Sequence, residues 1–477
     1  MKILFAVSEA FPFVMSGGLG EVAGALPEAL SSIDKENDIR VILPLYSKIA
    51  QEYKDKMRFI GDMEVRLSWR SQYSGIFYYE HKNVKYYFID NEYYFNREGL
   101  YGEYDDGERF AFFCKAVLKA LDAMDFEPDI IHCNDWHTAL IPVYIKLEDR
   151  EKYGSIKTLF TIHNIQYQGI FDMSIMQDVF DIPWERSGLV EFNRSINLMK
   201  GGIVCSDFVG TVSTSYAREI QTPHHACGLE HILIENKDKL KGILNGIDTE
   251  DHDPERDPVI TANYSSKALD GKKECKKSLQ ETYGLDITEE VPVVAMVSRL
   301  AGHKGFELVI SAMDELMKRK VEFIVLGTGE RWIEESLRTL DERYPGRAAA
   351  DIRFSGEAAK RIYSGADIFL MPSKSEPCGL AQMAALRYGA VPVVRDTGGL
   401  SDSIKDGYQG NGFKFKDYDP WEMLKALDRA VEAYKDKDLW EELVIRGMEW
   451  DLSWEASARE YFELYERICG KNKEGQK

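Results

Sequence analysis

The chain has 477 residues, 44% apolar and 29% charged, the mix of an ordinary globular protein long enough for about two to four domains. Eighty acidic against sixty basic side chains leave a net charge of minus 20, which argues against wrapping nucleic acid or docking on anionic lipid but is silent on a neutral sugar polymer. The seven cysteines stand singly with no C-x-x-C spacing, so no zinc site or disulfide framework is signalled and a reduced, cytoplasmic setting is expected. No apolar run approaches the roughly 20 residues that span a bilayer, and Met1-Lys2 leads into a strand too short for a signal sequence, so neither membrane insertion nor secretion is expected.

Short apolar runs alternate with helical periodicity along the first half. Strands are expected at 3–7, 39–43, 86–89, 129–133, 158–162 and 208–212, with helices at 21–30, 109–124, 138–147 and 198–203. Strands separated by helical patterns indicate an α/β chain whose parallel sheet is covered on both faces. The stretch 65–87 differs. Rich in Tyr, Phe and Ser with near-alternation, it reads as an antiparallel insertion whose aromatics at 73–79 suit either a polymer-binding face or a buried hairpin face. Around 242–248 the chain restarts. After a charged helical interval, strands at 293–297, 323–326, 352–354, 368–371 and 391–394 alternate with helices to make a second doubly wound sheet.

In such sheets ligands bind outside the carboxyl ends of the strands, so the residues just after each strand are the informative ones. After the first strand, Met15-Ser16-Gly17-Gly18-Leu19-Gly20-Glu21 opens a helix with glycines that let a ligand approach the backbone, although such loops also serve as plain tight turns. Asn134-Asp135-Trp136-His137 follows the fourth strand and His163-Asn164 the fifth. A single histidine there reads first as a buried, satisfied group; two at corresponding strand ends point to a site.

The second half places opposite charge at the same kind of position. Ser298-Arg299-Leu300-Ala301-Gly302-His303-Lys304-Gly305 puts a guanidinium and an ammonium on one loop, which on an acidic chain fits a diphosphate better than a merely solvated turn. Gly327-Thr328-Gly329-Glu330 and Thr397-Gly398-Gly399-Leu400 end two further strands, as nucleotide contacts or as tight turns. Between them, the apolar run 368–371 is stopped by Pro372, and Ser373-Lys374-Ser375-Glu376-Pro377-Cys378-Gly379-Leu380 leads into a helical run. Free amides near Gly379 and Leu380 attract phosphate, and Glu376 beside them suits the hydroxyls of a sugar.

Together these motifs resemble the bacterial glycogen synthases and plant starch synthases, retaining glucosyltransferases, over essentially the whole chain. The likeness rests on Gly17-Gly18-Leu19 with Ala23-Gly24-Ala25-Leu26-Pro27, on Tyr94-Phe95-Asn96-Arg97-Glu98-Gly99-Leu100-Tyr101-Gly102, on Asn134-Asp135-Trp136-His137 and on Thr161-Ile162-His163-Asn164. It continues through Asn245-Gly246-Ile247-Asp248, Ser298-Arg299-Leu300 with Lys304-Gly305, Glu376-Pro377-Cys378-Gly379-Leu380 and Thr397-Gly398-Gly399-Leu400. The resemblance implies two doubly wound Rossmann-like domains (GT-B) facing a central cleft: an acceptor and catalytic domain over 1–241 and a nucleotide-sugar domain over 242–454. Trp450-Asp451-Leu452-Ser453-Trp454 and the helix after it resemble the family's segment that crosses back to the first domain, here 455–477.

The activity implied is transfer of glucose from ADP-glucose to the non-reducing end of glycogen or another α-1,4-glucan, with retention and with no cofactor or metal. Glu376, His163, Arg299 and Lys304 take the family's catalytic positions, His163 through its backbone carbonyl. Met15, Gly17, Gly18, Phe354, Cys378, Gly379 and Leu380 take the donor positions, Phe354 as a platform for the base. Asp135, His137, Asn245 and Tyr101 take the sugar and acceptor positions. Some residues depart from the family pattern. Met15-Ser16 stands where Lys-Thr is usual, Glu21 where Asp is common and Ala381 where Thr is often found; Ala384 replaces the second Glu of the wider retaining class, as is normal for synthases. The missing lysine leaves an impaired glucan-binding paralogue as an alternative, and UDP-glucose is the alternative donor. A phosphorylase would need a pyridoxal-bearing lysine motif and nearly twice the length.

Overall fold

A computed structural model describes residues 1–147 and 150–470. Among them the chain forms two compact units, the first Met1–Ile243 together with the chain from Trp454 onward, the second Leu244–Ser453. Residues 471–477, the end of the expected returning segment, lie outside the described residues.

The first unit is built on strands β1 (Lys2–Ala6), β2 (Asp38–Pro44), β3 (Arg58–Leu67), β4 (Arg70–His81), β5 (Val84–Asp90), β6 (Ile130–Asn134), β7 (Lys157–Ile162), β8 (Phe208–Thr211) and β9 (Leu240–Gly242). They lie side by side in the order β9-β8-β7-β6-β1-β2-β5-β4-β3. All neighbours from β9 to β5 are parallel, and the β3–β4–β5 meander is antiparallel. Ile3, Leu4, Phe5 and Ala6 are almost wholly buried, as a parallel strand covered on both faces must be. Helix Trp454–Ile468 packs on helix Gly18–Ile33, and the Tyr465 hydroxyl lies 2.8 Å from His132 Nδ1, whose Nε2 is 2.7 Å from Thr161 Oγ1. This buried chain of polar groups joins residues 333 positions apart in sequence.

The second unit carries β10 (Val293–Val297), β11 (Glu322–Leu326), β12 (Ala348–Asp351), β13 (Ile368–Met371), β14 (Val391–Arg395) and β15 (Phe413–Phe415) in the parallel order β12-β11-β10-β13-β14-β15. Each unit is therefore a doubly wound, Rossmann-like sheet. The strand expected at 352–354 is instead Ala348–Asp351, aligned with Phe323 opposite Ala348. Its alanines carry little strand preference of their own, and pairing with β11 decides the matter. Phe354 is 88% exposed and belongs to the loop beyond.

Strand order reverses between β1 and β6 in the first unit and between β10 and β13 in the second. At such a switch point the loops diverge and leave a crevice at the carboxyl ends. The glycine turn and Asn134-Asp135 flank the first, and the loops 298–305 and 372–380 flank the second.

Candidate active site

In the first unit, Asp135 follows β6 with φ of 54° and ψ of 179°, backbone angles that are strained for any residue except glycine. Its side chain offsets the strain by holding the next loop: Oδ1 accepts the amide of His163 at 2.8 Å and that of Asn164 at 3.4 Å. Burial pushes the carboxyl up to about 7 against the pull of those two amides, and Glu9 adds to the rise. His163 Nε2 lies 2.9 Å from Asn134 Oδ1, while the Asn134 amide donates to the carbonyls of Ala6 and His132. That leaves Asn134 Oδ1 as an acceptor and assigns the proton to His163 Nε2. Burial pushes His163 down to about 3, so the ring is neutral.

His137 is neutral for the same reason, pushed down to about 3 by burial and then by the charge of Arg109. It packs against Tyr101 at 4.5 Å and Phe110 at 4.6 Å between ring centres, and its Nδ1 is buried without a hydrogen-bond partner. Tyr101 shares a 2.8 Å hydrogen bond with Ser8. Glu9, which sequence reasoning passed over, accepts the Ser16 amide at 2.5 Å and so braces the turn before Gly17 and Gly18. Burial raises its carboxyl against contacts with Ser16 and Gly20. An acid directly after a buried strand was the available signal. Met15, on the same turn, is 43% exposed.

In the second unit the central contact crosses the switch point. Lys304 Nζ lies 2.6 Å from Glu376 Oε2, which also accepts the Ser373 hydroxyl at 3.1 Å. Glu376 is 6% exposed, so the pair sits where charge is poorly screened. His303 is lowered by burial first and then by Lys304, with Glu376 opposing and Arg299 adding to the fall, so one ring senses all three charged candidates. Arg299 itself is exposed.

Close backbone approach keeps these loops together. Gly305, at φ of 83°, stands where a Cβ would come within 2.1 Å of the Pro372 carbonyl. Gly398, at φ of 46°, would likewise meet the Glu376 carbonyl at 1.9 Å. The Gly398-Gly399 turn thus shapes the Glu376 loop, with the Gly399 amide donating to the Glu376 and Pro377 carbonyls at 3.1 Å. The turn at 327–330 does the same for the cationic loop, its Thr328 carbonyl accepting the Leu300 amide and Glu330 accepting that of Gly302.

Cys378 is buried, Gly379 has φ of 75° and Leu380 immediately precedes helix Ala381–Arg387. Asn245 is buried at the start of the second unit, its Oδ1 without a hydrogen-bond partner. Phe354 stands apart, past β12 and two strands from β10, roughly 10 Å along the sheet. Among the described residues no cluster of three or more His, Cys, Asp or Glu side chains is placed to hold a metal, and no helix is long and apolar enough to cross a membrane.

Comparison with known proteins gives consistent matches. Residues 2–235 match the family described as starch synthase catalytic domain, and residues 282–443 match glycosyl transferases group 1. The chain is 45% identical over 477 residues to a glycogen synthase of Clostridium botulinum (strain Alaska E43 / Type E3), covering 98% of this chain and 99% of the relative. A glycogen synthase of Bacillus licheniformis is 47% identical over 476 residues, with 98% of each chain covered. Among solved structures, the catalytic domain of starch synthase IV from Arabidopsis thaliana bound to ADP and acarbose superposes with a TM-score of 0.88 at 33% identity, covering 98% of this chain and 99% of the other.

Proposed function

Because the chain belongs to the glycogen synthase and starch synthase family of glycosyltransferases, we propose that it transfers glucose from ADP-glucose to the non-reducing end of an α-1,4-glucan with retention of configuration. The observation that carries this reading is the Lys304–Glu376 pair across the switch point of the second sheet. An ammonium has three donors, and one held by Glu376 leaves two for the oxygens of a departing diphosphate. Glu376, with Oε2 already engaged, offers Oε1 to a glucose hydroxyl. Arg299 and the amides near Gly379 and Leu380 supply the remaining neutralisation, and Phe354 stacks on the base. That the starch synthase in its solved structure is bound to ADP and acarbose supports a nucleotide donor and a glucan acceptor.

In the reaction the bond from the anomeric carbon to the diphosphate breaks, a bond to the acceptor hydroxyl forms, and the acceptor's proton passes to the departing phosphate. The His163 backbone carbonyl faces the positive carbon, and a neutral imidazole there adds no opposing charge. Asp135, His137, Asn245 and Tyr101 hold the sugar and the acceptor. The test is incorporation of labelled glucose into glycogen by the purified protein from ADP-glucose and from UDP-glucose. Incorporation from ADP-glucose is expected to dominate; incorporation from UDP-glucose alone overturns the donor, and none from either overturns the activity.

A further inference from the structure

Between helix Glu92–Phe95 and helix Asp106–Ala123 runs a stretch, 96–105, that holds neither helix nor strand and yet carries Tyr101. A chain without regular structure places a side chain firmly only when its own polar groups are tied elsewhere. Here the ties come from the start of the following helix. Arg97 pairs with Asp105 at 2.9 Å, and the Gly102 amide donates to Asp106 Oδ2 at 2.7 Å. Tyr94, just ahead of the stretch, is held twice: its hydroxyl donates to Glu108 at 2.6 Å, and its carbonyl accepts from Arg109 Nε at 2.7 Å. Arg109 also bonds Asp106 Oδ1 through a terminal nitrogen. One guanidinium thus joins Tyr94 to the carboxylate that holds Gly102.

As a stabiliser this pair is a poor choice. Arg109 is wholly buried, and its other terminal nitrogen has no hydrogen-bond partner. Apolar side chains of similar volume pack in such a place without the desolvation cost. What they cannot do is hold two fixed acceptors at once, which the rigid fork of a guanidinium does. The pair therefore fixes geometry, and the geometry is that of Tyr101. Gly102, at φ of 94°, turns the chain directly after it. The Tyr101 hydroxyl then meets Ser8, two residues past β1, and its ring lies on His137. Phe110, the neighbour of Arg109, packs on the same imidazole.

We propose that Arg109 and Asp106 are positioning residues of the acceptor side, setting where Tyr101 and His137 meet the glucan while touching none of it themselves. That a glucan is what they meet rests on the function proposed above; the placement of Tyr101 does not. The first readout accordingly needs no activity. In the full chain labelled with fluorotyrosine, the Tyr101 fluorine resonance, assigned by its loss in Tyr101→Phe, is followed in two variants. Arg109→Met combined with Asp106→Leu removes both charges together, so melting close to that of the native protein is expected. Gly102→Ala carries the test if that double variant does not fold, since an added Cβ meets nothing within 4 Å and the strain is confined to the turn. The resonance should move in each.

The second readout is transfer from ADP-glucose to maltoheptaose. Both variants should raise the half-saturating maltoheptaose concentration by about tenfold and leave that of ADP-glucose within about twofold. Asp106→Asn, which keeps an oxygen for the Gly102 amide, should recover most of the loss. Adding Tyr101→Phe to the double variant should cost little more, because residues acting through one another are not additive. An unmoved Tyr101 resonance overturns the positioning. Donor and acceptor half-saturation raised alike, or neither raised, overturns the acceptor role, and so does strict additivity with Tyr101→Phe. A native chain that transfers no glucose, with the resonance moving as expected in the variants, sinks the proposed activity and leaves the placement of Tyr101 standing.

Discussion

At the carboxyl edge of the first sheet the ionisable candidates are buried, the His163 and His137 rings neutral because burial pushes them down to about 3, and Asp135 pushed up to about 7, so that it is only partly ionised near neutrality. At the same edge of the second sheet, Lys304 and Glu376 form an ion pair at 2.6 Å, with Arg299 exposed on the loop that carries Lys304. Both edges come from one architecture, yet the first offers oriented dipoles and neutral rings while the second offers fixed charge. A neutral sugar and a polyanionic leaving group require these two environments respectively. The same fold can therefore serve either need through the few residues that follow each strand.

The comparison breaks most visibly at the ion pair. Glu376→Ala should lower kcat by about 10² to 10³ and leave Lys304 as an uncompensated charge, and Lys304→Ala should cost as much. If both substitutions together cost no more than either alone, the two act as a unit; strict additivity in transfer assays would separate them.

On the neutral edge, Asp135→Asn preserves shape and removes the ionisable group. Its activity should fall by about tenfold, with the acidic limb of the kcat/KM profile near pH 7 flattened. Stability supplies an independent check. Because the folded-state value lies above the ordinary one, the native chain binds more protons at this group between about pH 4 and 7, so the stability contributed by Asp135 declines as pH rises through that window. The difference is bounded by about 4 kcal/mol from the size of the shift. Because the buried, neutral His163 and His137 favour the folded chain as pH rises, in the opposite sense, the Asp135 contribution is read as a difference: between urea titrations at pH 5 and pH 8 the native protein should gain less stability than Asp135→Asn does.

Smaller effects sharpen the contrast. Met15→Lys moves a cation onto the neutral edge and should lower the half-saturating ADP-glucose concentration by about threefold to tenfold if that charge meets the donor. An unchanged value would show that the methionine is no handicap. Phe354→Ala should raise KM for ADP-glucose by about fivefold with kcat unchanged, the worth of one stacking contact; an unaltered KM would remove Phe354 from the site.

Much of this architecture was readable from residues alone because strands buried on both faces are uninterrupted apolar runs, as in Val293–Val297 and Ile368–Met371, with polar residues massed where they stop. Ala348–Asp351 escaped notice since alanines signal no strand until a neighbour pairs with them. Phe413–Phe415, three residues at the sheet's edge, is too short to stand out. Glu9 was passed over although an acid soon after a buried strand is a signal, and its place under the glycine turn shows only in the fold. Lys304 and Glu376 were each recognisable by type, but their ion pair spans 72 positions and depends on the strand order. The turns at Gly327 and Gly398 left two uses open in sequence, and close packing on neighbouring carbonyls accounts for both.

Helix Trp454–Ile468 completes the first unit only after the whole of Leu244–Ser453 has been made. During synthesis at about 5–20 residues per second, the nascent first half waits roughly 10–40 s with His132 lacking Tyr465 and the face of helix Gly18–Ile33 uncovered. A ribosome therefore carries an unfinished domain while it builds the other, an interval in which a chaperone has reason to attend. A permuted gene that places this helix ahead of Met1 should shorten the wait and lessen dependence on such help.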